Sequence, residues 1–203
     1  MRKINDNETA FNRELLDLYI NGLEQKLILE NNKLSNWSYS NITLLTMKLK
    51  EYELAEKYIH ALAEFLNVKS RKNAVSYSLA LLAFEKKDFD QSQEHLMQMD
   101  SDDVFYVLKA KLLLLQIYFE KKQFDPLSSL AESFKKYLHR NKIIRKWRKE
   151  AYLSFIKYIL AILNLEPNNT KRSSSLLEAI EQDAGVVYKD WLVLKLKTQI
   201  GVN

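Results

Sequence analysis

Histidine is the side chain best suited to moving protons or binding metal near neutral pH. This chain has three, His60, His95 and His139. None lies at metal-ligand spacing from another, and neither His-Glu-x-x-His nor Glu-x-x-His occurs. His95 follows Glu94 on a helical stretch, a pattern that reads as a surface histidine. The absence of cysteine removes disulfides, thiolate metal sites and a thiol nucleophile together. The three glycines, at 22, 185 and 201, are isolated and cannot build a phosphate-cradling loop. No Gly-x-Ser-x-Gly is present. The expectation is therefore a chain with no catalytic, cofactor or metal site, and not an enzyme. A site assembled from residues scattered over several helices would leave no motif.

One local feature stands above the background. Residues 135–149 hold Lys135, Lys136, Arg140, Lys142, Arg145, Lys146, Arg148 and Lys149 with no acid among them. The whole chain carries +5, so the remainder without these eight cations is −3. Such a stretch fits an anionic partner, whether nucleic acid, an acidic protein segment or a membrane surface. Tyr137 and Trp147 could stack on bases. The competing reading has Ile143, Ile144 and Trp147 turned to the core at helical spacing while the cations solvate the other face, and helical spacing favours it.

The elements that would position these residues are helical. Three glycines and two prolines in 203 residues are too few for the tight turns of a β-rich fold. Hydrophobic residues at 47% and charged residues at 28% are ordinary for a folded domain. No apolar run follows the basic start, which argues against a signal peptide and for a cytoplasmic location, with the sequons at Asn36, Asn41 and Asn168 unused. The apolar stretches 104–119 and 151–165 fall short of the roughly 20 residues of a membrane span and read as central buried helices. The periodicity predicts a helix over 10–30, ended by Asn31-Asn32-Lys33. Pairs follow at 39–49 with 53–66, 74–85 with 90–98, and 104–119 with 126–138. Beyond them come 145–165 and 171–182, separated by Pro167 and Asn168-Asn169-Thr170. A last helix, 186–199, should bury Val187, Trp191, Leu194 and Thr198. The turns inside the pairs share a form: Lys50-Glu51-Tyr52-Glu53, Lys87-Asp88-Phe89-Asp90 and Lys122-Gln123-Phe124-Asp125. Each places an acid after the aromatic, suited to capping the second helix and to its positive end. Asp125-Pro126 is a good helix opening.

The turn aromatics recur at intervals of 37 and 35 residues. Two helices per unit at this period resembles the tetratricopeptide-repeat family. Leu79, Ala80, Ser92 and Leu96 fill the pattern around Phe89. Tyr39, Ile42, Ala55 and Ile59 fill it around Tyr52, with Thr43 and Thr46 as substitutes. Leu114 and Tyr118 fit around Phe124, but Leu115 and Leu127 stand where small residues belong. The resemblance covers about residues 37–138. It implies an all-α, single domain of stacked antiparallel hairpins with about nine helices. An N-terminal helix (1–36) precedes about three repeat-like hairpins (37–138). A divergent pair and a capping helix (139–203) follow.

In that family ligands lie along the concave face lined by first helices. Carried over, the lining is Trp37, Ser40, Leu44, Met47 and Lys48; then Tyr77, Leu81, Phe84 and Glu85; then Lys109, Leu112, Gln116, Phe119 and Glu120. This lining is more apolar than grooves that grip a peptide carboxylate. It implies either an apolar or amphipathic partner helix or, preferred for the isolated chain, occupation by the chain's own helix 10–30. The expected function is a non-catalytic protein interaction module or scaffold. Nucleic-acid binding through residues 135–149 is the alternative.

Overall fold

The computed structural model describes residues 2–100, 103–166 and 170–201, with side chains omitted for 2–7 and 170. Pro167, Asn168 and Asn169 of the expected turn lie outside the described residues. The chain is all-α, with ten α-helices and one two-residue ladder among the described residues. It divides into two units, Met1–Lys121 and Lys122–Asn203, so the break falls within the third expected turn.

The first unit opens with α1 (Arg2–Glu24), which begins before the expected Ala10. Its first turns are polar and carry no apolar spacing, so the periodicity does not reach them. α1 also stops earlier than expected, at a left-handed Lys26 (φ 59°). There Leu27 N–H donates to Gly22 O at 2.7 Å and Lys26 N–H to Leu23 O at 2.9 Å. These are the two bonds of a Schellman cap. The returning chain brings Ile28 so close that a Cβ at Gly22 would lie 3.0 Å from its Cγ2, which accounts for a glycine inside the helix. Asn31 and Asn32 then both take positive φ (50° and 58°), giving a type I′ reversal between Leu29–Glu30 and Lys33–Leu34. Asparagine tolerates this backbone better than most residues.

Four more elements make two pairs: α2 (Asn36–Lys48) with α3 (Tyr52–Ala61), and α4 (Val68–Glu85) with α5 (Phe89–Met97). A 3₁₀ turn, Leu62–Phe65, follows α3, and α6 (Val104–Glu120) closes the unit. α1 packs on α2, α2 and α3 both touch α4, and α4 and α5 both touch α6. Ala80 and Ser92 are fully buried, and Ser92 Oγ donates to Ala80 O at 2.6 Å. The small residues thus let α4 and α5 touch, as their types predict. Tyr39 is buried in α2, and its hydroxyl donates to Ile59 O of α3 at 2.9 Å. That carbonyl sits in the last turn of α3, where helix acceptors lack an intrahelical partner. Thr43 and Thr46 turn their hydroxyls onto the carbonyls of Tyr39 and Ile42, one turn back. The pair thereby satisfies two buried hydroxyls without a neighbouring helix.

The turns of the pairs share a backbone feature that residue types do not announce. Lys50, Lys87 and Lys122 are all left-handed, with φ of 60°, 63° and 55°. In the first two, Glu51 N–H reaches Thr46 O and Asp88 N–H reaches Ala83 O, both at 2.9 Å. The second helices begin at the aromatics themselves, so their caps are Glu51, Asp88 and Gln123. Only Asp88 caps with its side chain, accepting from Gln91 N–H at 3.1 Å. Glu53, Asp90 and Asp125 lie in the first turn instead, where they still face the positive helix end.

The second unit contains α7 (Phe124–Arg140), α8 (Lys146–Leu163), α9 (Thr170–Gln182) and α10 (Lys189–Gln199). Leu127, Ala131, Phe134 and Leu138 form one buried stripe on α7, at helical spacing. α7 packs on α8, whose Phe155, Ile156, Ile159 and Ile162 are fully buried. α8 also touches α9 and α10. Tyr158 donates its hydroxyl to Ala179 O at 3.1 Å and contacts Asp183 Oδ2 at 3.2 Å. Burial disfavours the Asp183 charge. Hydrogen bonds from Ser154, Gly185 N–H, Tyr158 and Val186 N–H outweigh it and hold the carboxyl below its usual range. α10 starts after a left-handed Tyr188 and buries Leu192 and Leu196. The expected face is corrected here: Leu194 and Thr198 are exposed, while Trp191 reaches Phe155 with ring centroids 6.0 Å apart. Moving the helix start from Val186 to Lys189 leaves Val186 as a separate buried anchor, and of two competing apolar stripes the one with Leu192 and Leu196 packs.

The left-handed lysines yield a prediction. Lys87→Val should lower unfolding stability by about 1–2 kcal/mol, because a β-branched residue strains this backbone further. Lys87→Gly should be neutral or stabilising by up to about 1 kcal/mol, since relief in the fold is partly offset in the unfolded chain. Urea midpoints of the two variants check the opposite directions; equal effects would refute the turn's role.

Candidate functional site

The first helices of the pairs, α2, α4 and α6, touch in succession and carry the expected lining. Trp37 is 69% and Leu44 38% exposed, and Lys48 and Glu85 are exposed too. Ser40, Leu81, Phe84, Lys109, Phe119 and Glu120 are half-buried. Met47, Tyr77, Leu112 and Gln116 are buried and unavailable to a partner. Met47 packs with Ala55, Ile59 and Leu82 in the core between α2, α3 and α4. Its position one residue before Lys48 turns it to the opposite side of α2.

The expectation that the N-terminal helix fills this face is not what the structure displays, because Trp37 and Leu44 remain exposed. α1 lies beside α2 and toward α3 instead. Leu16 enters the core, Arg13 pairs with Glu51, and Arg13, Asp17 and Ile20 share a cleft with Leu54 and Tyr58 of α3. What α1 adds to the face is an edge. Tyr19 meets Trp37 edge-on at 6.3 Å, and its hydroxyl accepts from Asn41 Nδ2 at 2.8 Å.

Lys109 occupies an aromatic setting at the α4–α6 contact. Its ammonium lies 4.5 Å from the Phe105 ring centre, 4.9 Å from Tyr77 and 5.6 Å from Tyr106. Ring faces attract a cation at such distances. The sequence spacing of Phe105 and Tyr106 to Lys109, four and three residues, places them together on one helix. Nothing in the sequence places Tyr77 there. The Tyr106 ring is buried, and its hydroxyl has no hydrogen-bond partner. Burial, with a smaller contribution from Asp103, pushes this phenol up to about 12. Burial likewise raises Tyr39 well beyond the ordinary tyrosine range, against a hydrogen bond from Ser78. Crowding raises the Glu85 carboxyl by desolvation, although part of that side chain reaches solvent.

The basic segment spans the end of α7, a connection at 141–145, and the start of α8. Lys136, Arg140, Lys142, Arg145 and Lys146 are exposed, and Lys135, Arg148 and Lys149 are half-buried. Lys135 pairs with Glu132 at 2.7 Å. The expectation that Ile143, Ile144 and Trp147 all face the core holds for Ile144 alone, which is 7% exposed. Ile143 and Trp147 are 81% and 58% exposed. The segment is not one continuous helix, so helical spacing across residues 141–145 does not apply. Tyr137 is half-buried.

His60 and His139 are exposed and His95 is half-buried. Among the described residues no three His, Asp or Glu side chains converge as a metal site requires. No described helix is long and apolar enough to cross a membrane. No protein-family model, curated protein or solved structure matches the chain.

The buried phenols set an alkaline limit. Their folded-state values lie above the unfolded value near 10, so the fold favours the neutral form. That stability is fully present below about pH 10 and is lost as pH rises toward 12. Tyr106→Phe should make the decline in unfolding stability between pH 10 and 12 shallower by about 2–3 kcal/mol at most. An unchanged alkaline limb in urea titrations would contradict burial of this phenol.

Proposed function

We propose that the first unit is a non-catalytic protein interaction module, similar in plan to tetratricopeptide repeats, that takes an apolar or amphipathic partner segment across α2, α4 and α6. The observation that carries this reading is the exposure of Trp37 and Leu44 on α2, with half-buried Leu81, Phe84 and Phe119 on α4 and α6, helices that touch in succession. Exposed aromatic and aliphatic side chains over an apolar floor are the usual anchors of interfaces. The recurrence of left-handed lysine, turn aromatic and tight Ala80–Ser92 contact supports the repeat resemblance. Mixed signs at Lys48, Glu85, Lys109 and Glu120 suit a polar rim rather than a polyanion site.

The test is affinity capture from native lysate by the full chain, with and without nuclease. The proposal expects a protein partner that survives nuclease and whose affinity falls about thirtyfold or more in Trp37→Ala/Leu44→Ala, the scale of losing a central anchor. Retention of every captured protein by that variant, or loss of all of them on nuclease treatment, would sink it.

A further inference from the structure

The second unit carries a surface of a different chemical kind at the α7–α8 connection. Its backbone is held by one side chain: Asn141 Oδ1 accepts from Ile143 N–H at 2.9 Å and from Ile144 N–H at 3.3 Å. Asn141 Nδ2 in turn contacts the Tyr137 hydroxyl at 3.4 Å. This Asx-type turn makes two adjacent isoleucines diverge. Ile144 goes into the core and pins the connection, and Ile143 is left pointing into solvent. In the first turn of α8, Trp147 is exposed as well, with the Arg148 guanidinium 5.0 Å from its ring centre. Arg140, Lys142, Arg145 and Lys146, next to these two in sequence, are exposed too. Lys146 pairs loosely with Glu150 at 3.8 Å, and residues 135–149 themselves contain no acid.

We propose that this tip docks on an anionic lipid bilayer, with Ile143 and Trp147 entering the interfacial layer and the neighbouring cations meeting acidic headgroups. Charge complementarity selects a negatively charged partner. The apolar pair then selects among negative partners. A base stacks on Trp147, but it gives an aliphatic Ile143 that is more fully exposed than the tryptophan no comparable gain. A bilayer accommodates both, because tryptophan settles at the headgroup level and an aliphatic side chain gains by leaving water. One aliphatic residue and one aromatic residue give weak insertion alone. Joined to several cations they form the two-signal anchoring that reversible surface binding needs. The connection is already ordered by Asn141 and Ile144, so little conformational freedom is lost on docking. This surface lies wholly within the second unit and is independent of the α2–α4–α6 reading.

The experiment is flotation of the full chain with vesicles of phosphatidylcholine containing about 30% phosphatidylserine, compared with pure phosphatidylcholine, and titration with a random single-stranded 20-mer. The expected result is partition to the anionic vesicles only. Ile143→Ser should weaken it about tenfold, as removal of a buried aliphatic group predicts. Lys142→Gln/Arg145→Gln/Lys146→Gln should weaken it on the order of a hundredfold, at about fivefold per cation. Brominated lipid should quench part of the wild-type tryptophan emission, and that part should vanish in Trp147→Phe, a readout that needs no binding variant. No flotation with anionic vesicles would overturn the proposal. So would flotation insensitive to Ile143→Ser, or 20-mer binding without vesicle binding, which would instead assign the tip to nucleic acid.

Discussion

α4 has to be covered on two sides, and the first unit is organised by that need. Ala74, Tyr77 and Ala80 enter one core with Tyr39, Ile42, Leu96 and Leu113, while Leu82 enters a second with Met47, Ala55 and Ile59. A helix apolar on a single stripe can rest against one neighbour with its back to water. α4 cannot, and α2, α3, α5 and α6 all pack against it. The chain achieves this by reversing sharply at Lys50 and Lys87. Each reversal uses a backbone that costs an ordinary L-residue roughly 1–2 kcal/mol. Burial of several side chains of about 1.5–3 kcal/mol each exceeds that cost. Close approach then depends on residue size at the contact. With Ser92 hydrogen-bonded to the Ala80 carbonyl at 2.6 Å, no larger side chain fits at either position without separating α4 from α5.

The helical class was legible because its signals are local. Scarce glycine and proline, apolar spacing near 3.6, and turn aromatics at 52, 89 and 124 are all readable without knowing what touches what. Features set by backbone conformation were harder. A lysine in a left-handed turn carries no mark in its residue type, and the acid following each aromatic looks like a cap although the helix has already begun. The Asn31-Asn32 reversal did carry a signal, two residues that tolerate positive φ in succession, but between polar neighbours it resembles a helix end. In α10 two apolar stripes compete, and the side that packs carries Leu192 and Leu196 rather than Leu194.

The candidate face shows the same division. Trp37, Leu44, Lys48 and Glu85 are where the first-helix spacing puts them, open to solvent. Met47, Tyr77 and Gln116 obey a different demand, since each is turned toward the core side of a helix that packs on others. The position of α1 could not be read from its own amphipathicity, because an apolar stripe says that a helix must be buried and not against what. Leu16 satisfies that requirement beside α2, while Arg13 and Tyr19 on either side of it add contacts to Glu51 and Asn41.

Exposed apolar residues are common on protein surfaces, so exposure alone distinguishes neither surface. Context separates them. On α2, α4 and α6 the charges Lys48, Glu85, Lys109 and Glu120 have both signs, and the half-buried Leu81, Phe84 and Phe119 belong to helices that are already packed elsewhere. Around Ile143 and Trp147 the charges are mostly positive, with Glu150 as the acid that meets Lys146, and Asn141 and Ile144 hold the connection. A surface with half-buried apolar residues and mixed charge favours a shaped partner with matching side chains. An exposed connection with mostly positive charge favours a partner that is broad, negative and deformable. Salt should therefore act differently on the two: screening weakens the basic connection through its several cations at once, whereas mixed charges partly cancel in the first unit's face.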